Sequence, residues 1–236
     1  QELETLSITC RTVFAYAQDA RRRRNIPSLN NYIRLYALSL KKGRAYILPV
    51  GQPKVLRVLA AEARARFVSN KKHIFGAAKE FSIDPALLGA VIIDEIARLL
   101  PFEDIIDAMG GDIIGWNVSI GVAQVKIDTA HDLIRKGIYH PNLKDRSLPY
   151  ARLTNAGRRY LYDYLILPKH NVRFAAAFIR YVFDFWSEYI DLSNRADIIG
   201  TLYHQGYGDP KMNPESNDRG RQIATEFYPV AKRWLL

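Results

Sequence analysis

One cysteine, Cys10, in a chain of 236 residues leaves no partner for an internal disulfide, so thiol usage neither staples the fold nor reveals a compartment. The five histidines, His73, His131, His140, His170 and His204, have no metal-ligand spacing, and no His-Glu-x-x-His occurs, so no metal is implied. Neither a Walker-type loop nor a Gly-x-Gly-x-x-Gly fingerprint is present, and the expected cofactor is none. A serine or cysteine nucleophile is unsupported: Cys10 sits far from any motif and Ser119 lacks an evident histidine partner. The most apolar segment, 85–100, is too short to span a bilayer and is interrupted by Asp94, Glu95 and Arg98, so no integral membrane segment is expected. Internal repeats and low-complexity tracts are also missing.

What is abundant is positive charge. Against 24 Asp and Glu stand 34 Lys and Arg, a net charge of +10. Such an excess favours a polyanionic partner, whether nucleic acid, anionic lipid or a carboxylate-bearing cell wall. The run Arg21-Arg22-Arg23-Arg24 reads as a solvated helix end favoured by the helix dipole. The numbering begins at Gln1 with no basic-then-apolar export segment, which fits a processed secreted chain and equally a trimmed one.

The periodicity is mostly helical. Ser28 caps a run in which Leu29, Tyr32, Ile33, Tyr36, Ala37 and Leu40 recur at helical spacing until Gly43. Pro53 suits the first turn of a helix reaching about Val68, Asn70 suits the cap of a helix over 71–81, and Asp84-Pro85 the start of another. A short segment, 102–109, ends at Gly110-Gly111. Over 112–125 the helical period fades into Ile, Val and Gly alternation, as for a loop with a short β-hairpin. A helix resumes at Asp128-Thr129 and runs toward Lys136-Gly137, and 138–149 reads as a surface connection. Further helices are expected over 154–167, 171–191, 194–205 and 217–236, with Thr154, Asn171, Asn194 and Asn217 as caps. The aromatic stripe Phe174, Phe178, Tyr181, Phe185 and Trp186 reads as core packing. The expected fold is therefore all-α, with an N-terminal helical extension over 1–70 and a second helical unit over 71–236.

Glu95 is the residue that points to chemistry. On a helix it shares a face with Leu88, Val91, Ile92 and Leu99. A carboxyl on an apolar face loses solvation of its charged form, which raises its proton affinity toward that of a general acid. The plain alternative is an ordinary ion pair with Arg98 one turn later.

Several pieces follow Glu95 in order: Gly121-Val-Ala-Gln124, Thr129-Ala130 and Tyr203-His204-Gln205-Gly206. Together with Asp84-Pro85-Ala-Leu-Leu-Gly-Ala-Val-Ile-Ile-Asp-Glu95, this set resembles the lysozyme-like lytic transglycosylases and the goose-type lysozymes, over roughly residues 71–205. In that superfamily a "pxLLxAvixxES" helix carries the catalytic glutamate, a "GLMQ" turn lines the sugar groove, "TA" opens the next helix and "YNxG" closes the site. Here Ile96 stands for the usual Ser, Val122-Ala123 for Leu-Met and His204 for Asn.

The resemblance implies a lysozyme-like domain that cleaves peptidoglycan glycan strands in the periplasm or outside a bacterial cell. It implies Glu95 as acid and base, Tyr203 hydrogen-bonding its carboxyl, and Ser119, Gly121, Gln124 and His204 along the substrate. A hydrolase needs a second carboxylate. Asp104, Asp107 and Asp112 lie between Glu95 and Gln124, and Asp112, opening the irregular segment, is the best candidate. Goose-type enzymes instead carry an aspartate just after the turn, where this chain has Lys126. The reading from another class is a non-catalytic basic helical module for nucleic acid or wall polymer, of which nucleic acid is the less expected ligand.

Overall fold

A computed structural model describes residues 54–99, 119–145 and 159–236. The expectations for Cys10, Arg21 to Arg24, the helix at 28–43, Pro53, the segment 102–109, Gly110-Gly111, Asp104, Asp107, Asp112 and Thr154 lie outside these residues. What is described is mainly α, as expected, with one two-stranded antiparallel hairpin.

Helix α3, Pro85–Leu99, is the hub. Every residue from Ala86 to Asp94 is buried, which is why its sequence is apolar all round rather than striped. Asp84 starts it: its Oδ1 accepts from the Ala86 amide at 2.8 Å, and its other oxygen accepts from the Tyr228 hydroxyl. Around α3 pack α1 (Lys54–Ser69), α2 (Lys71–Glu80), α5 (Pro168–Trp186), α6 (Ala196–Gln205) and α8 (Tyr228–Leu235). Phe67 of α1 is fully buried and its ring lies 5.4 Å from that of Trp234. Thus a helix N-terminal to residue 70 contributes side chains to the same core as Glu95's helix.

The remaining elements frame one side of that core. Strands β1 (Ser119–Ile120) and β2 (Val125–Lys126) pair antiparallel, and α4 (Ile127–Arg135) follows directly. Gly137, at φ +69°, ends α4 in the left-handed region that glycine adopts without penalty. Residues 159–165 are helical and lead into α5, whose first residue is Pro168.

Three local expectations are corrected. Asn171 is not a cap but lies inside α5, fully buried. Asn194 is not one either, because α6 begins after Arg195. Asn70 does sit at the start of α2, yet its amide turns back to the Arg66 carbonyl at 2.8 Å, closing α1 rather than opening α2. Within the expected surface connection, Tyr139 is also buried, edge-on to Phe174 at 4.8 Å and bonded to His170 Nδ1 at 2.7 Å.

The C-terminal run is one helical rod in three pieces: α7 (Asp218–Gln222), a π-helical turn (Ile223–Phe227) and α8. Asn217 caps it, accepting from the Gly220 amide at 2.8 Å. Pro229 has no N–H for the Thr225 carbonyl, and the widened turn ahead of it takes up the break.

Two glycines let this rod approach α6 closely. A Cβ on Gly220 would stand 2.1 Å from the Asp197 carbonyl oxygen and 2.2 Å from Thr201 Oγ1; one on Gly200 would stand 2.8 Å from Ile223 Cδ1. Backbone thus packs on backbone, and the helices cannot make room without separating. Gly220→Ala should therefore destabilise the protein by about 1–3 kcal/mol or more, the usual range for overpacking. Urea unfolding followed by circular dichroism measures it, and an unchanged midpoint would contradict this packing.

Candidate active site

The close approach of α6 and α7 places Arg219 against the end of α3. Its Nε donates to Asp94 Oδ2 at 2.6 Å, its Nη2 to Glu95 Oε1 at 2.5 Å, and its Nη1 to His204 Nδ1 at 2.6 Å. One guanidinium therefore addresses three side chains from two other helices. Because arginine only donates, His204 Nδ1 must accept, which assigns the tautomer protonated at Nε2.

Burial grades the three charged groups. The Asp94 side chain is 1% exposed, Glu95 13% and Arg219 16%, so Asp94 is sealed while Glu95 keeps an opening to solvent. A sealed carboxylate without a partner is costly, and breaking a buried ion pair typically costs about 3–5 kcal/mol. Arg219 thus has a structural task at Asp94 and touches Glu95 in addition. At Glu95, burial disfavours the charged form and the guanidinium favours it, so the sequence argument from burial alone omits an opposing influence.

Tyr203 joins the same cluster. Its hydroxyl donates to the Ala123 carbonyl at 2.7 Å, tying α6 to the hairpin turn. Burial holds this phenol well above its ordinary pKa, the Glu95 charge pushes it in the same direction, and Arg219 pulls it back. Tyr203 is therefore a neutral hydroxyl within electrostatic reach of the Glu95 carboxyl. Its hydroxyl hydrogen goes to the turn.

The turn has an unusual backbone. Gly121 (φ +74°) and Gln124 (φ +46°) both lie in the left-handed region, where a non-glycine residue such as Gln124 is uncommon. Asn171, from α5, clamps it: Oδ1 accepts from the Ala123 amide and Nδ2 donates to the Ile120 carbonyl, each at 2.7 Å. At Gly121 a Cβ would stand 2.5 Å from Asn171 Nδ2 and 2.7 Å from the Leu165 carbonyl oxygen, so both conformation and space require glycine. The Gln124 amide folds over the turn, donating to the Gly121 carbonyl at 2.8 Å.

The candidate residues from the sequence are placed as follows. Glu95, Tyr203 and His204 meet around Arg219, and Gly121 and Gln124 belong to the turn that Tyr203 touches. Ser119 is in β1, half-buried and opposite Lys126, with Ile120 between it and the turn. Ile96 is core, so no hydroxyl follows Glu95 here. Asp112 lies outside the described residues. Sequence reasoning missed Arg219, Asp94 and Asn171. Only Asp94 carried a local signal, as an acid in a run that is otherwise apolar.

Elsewhere a cleft of about 420 Å³ opens between the start of α3 and the end of α5, lined by Asp84, Arg180, Phe183 and Asp191. It includes none of Glu95, Gln124 or Tyr203. Among the described residues no group of His, Cys, Asp and Glu is arranged to hold a metal ion, and no helix is long and apolar enough to cross a membrane. Compared with family models, curated proteins and solved structures, the chain matches none.

Asn171→Ala would leave a buried amide and a buried carbonyl without their partner. At about 1–3 kcal/mol for each unsatisfied group, it should lower stability measurably and speed hydrogen exchange at Ala123 above that of α3 amides. Exchange at Ala123 unchanged from the parent protein would show that the clamp does not hold the turn.

Proposed function

We propose that this protein is a peptidoglycan lytic transglycosylase, cleaving the bond between N-acetylmuramic acid and N-acetylglucosamine with Glu95 as acid and then base. The observation that carries the reading is Tyr203, which bonds Ala123 of the Gly121–Gln124 turn and feels the Glu95 charge, so that one side chain links three separated parts of the resemblance. In the reaction, the Glu95 carboxyl gives its proton to the glycosidic oxygen as the bond to the anomeric carbon breaks. The muramoyl 6-hydroxyl then attacks that carbon, and its proton goes to the Glu95 carboxylate. The product is a 1,6-anhydro sugar, and the acid is regenerated without water. The neutral phenol of Tyr203 and the turn's backbone would border the sugar, and the net charge of +10 suits a wall rich in peptide carboxylates.

The lytic variant is favoured over the hydrolytic one by Lys126, an exposed β2 residue where goose-type enzymes carry an aspartate. A second reading, a non-catalytic basic module for wall polymer or nucleic acid, is favoured by the Arg219 bridge, which on its own accounts for two acids as a structural ion-pair network. Steeply salt-dependent binding to DNA without glycan cleavage would support that second reading.

Glu95→Gln decides between them. It keeps the size and an acceptor for Arg219 but removes the transferable proton, so release of anhydro-muropeptides from purified peptidoglycan should fall about a hundredfold to ten-thousandfold. Mass analysis of the products reads both rate and chemistry. Cleavage persisting near the parent rate in the variant would refute Glu95 as the acid, and reducing ends in place of anhydro ends would turn the reading to a hydrolase.

A further inference from the structure

Nothing in the resemblance assigns a role to an arginine, yet Arg219 is a cation in direct contact with Glu95. Resting on the glycan-cleaving reading, we infer that Arg219 is a positioning residue: it holds the Glu95 carboxyl at the site and stabilises the negative charge that the group gains on giving up its proton. Three observations converge on this role.

The first is anchorage. Arg219 is fixed through Nε to sealed Asp94, so its position does not depend on Glu95 or on any ligand. The fork then presents Nη2 to Glu95 from a preset direction, which a flexible ammonium would not do. The second is rigidity of the platform. Arg219 lies between Asn217, which caps its helix, and Gly220, whose hydrogen is pressed against the backbone of α6. Its Cα is thereby fixed to the helix that carries Tyr203 and His204. The third is replacement. Ile96 is buried in the core, so the position following Glu95 supplies no hydroxyl to orient its carboxyl, and the guanidinium provides a donor from another helix instead.

The chemical consequence follows from where the charge goes. As an acid, Glu95 becomes anionic when the glycosidic oxygen takes its proton, and a preorganised cation beside it favours that state. The same contact opposes burial, which favours the protonated form. Among the described residues, the groups facing the pair include Asp94 on α3, Tyr203 and His204 on α6 and Arg219 itself on α7; Asp94 partly offsets the cation, and Tyr203 stays neutral. Arg219 thus favours the charged form of Glu95 while burial favours the neutral one.

The test compares the full chain with R219K, R219M and E95Q. Folding is checked by circular dichroism, the Glu95 carboxyl carbon is titrated by 13C NMR, and anhydro-muropeptide release is measured across pH. In the parent protein Glu95 should titrate lower than in R219M. In R219M the midpoint and the alkaline limb of activity should both rise by about one to three units. R219K, which restores the charge without the fork, should keep the midpoint low while turnover falls about tenfold to a hundredfold.

A folded R219M with an unmoved midpoint would overturn the inference, and so would R219K turning over at the parent rate; R219K keeps a cation for Asp94, so this second readout does not leave that carboxylate unpaired. Cleavage surviving in E95Q would instead sink the glycan-cleaving reading, while the titration still reports whether Arg219 governs the carboxyl.

Discussion

Burying Asp94 is the constraint around which this end of the molecule is arranged. A carboxylate that is 1% exposed in the middle of an apolar helix needs a cation brought to it, and here the cation comes from 125 residues further along the chain. Supplying it requires α7 to lie against α6 at backbone distance, so that the Arg219 side chain reaches α3. Gly200 and Gly220 make that possible by removing the side chains that would hold the helices apart. Once Arg219 is in place, its other nitrogens reach Glu95 and His204, so the geometry of the candidate site follows from how Asp94 is satisfied.

A second support holds the opposite wall. The Gly121–Gln124 turn has two left-handed residues and a two-residue strand on either side, too little ladder to be stable alone. Asn171 supplies what the ladder lacks, satisfying one amide and one carbonyl from a fully buried position on α5, and Tyr203 adds a third bond from α6. Glu95, Tyr203 and the turn are thus held by three helices whose own packing is apolar. Polar contacts set the geometry within a frame that hydrophobic burial maintains.

Much of the helical content was legible because helices bury stripes, and stripes leave a period of 3.6 in the sequence. Asp84-Pro85 at the start of α3 and Asn217 ahead of α7 were legible as caps because capping is local, a side chain bonding an amide two or three residues away. The same rule failed at Asn171 and Asn194. A residue suited to capping carries no mark of whether a distant segment will claim it, and Asn171 was claimed by a turn about fifty residues earlier in the chain. Tyr139 failed likewise: its polar, proline-containing neighbourhood reads as surface, but Phe81, Phe174 and His170 close over the ring.

The sequence by itself determined that the described residues form a mainly helical protein with a short hairpin and that Glu95 sits on an apolar helix. These are properties of neighbours along the chain, where spacing and residue type are sufficient. Only the tertiary structure decided that Glu95 shares a guanidinium with Asp94, that His204 meets that guanidinium, and that the Tyr203 hydroxyl donates to the turn rather than to the Glu95 carboxyl. The reason is that an ion pair between residues 124 apart leaves no periodicity behind. An arginine on the surface and an arginine between two carboxylates are the same letter until α6 and α7 are packed.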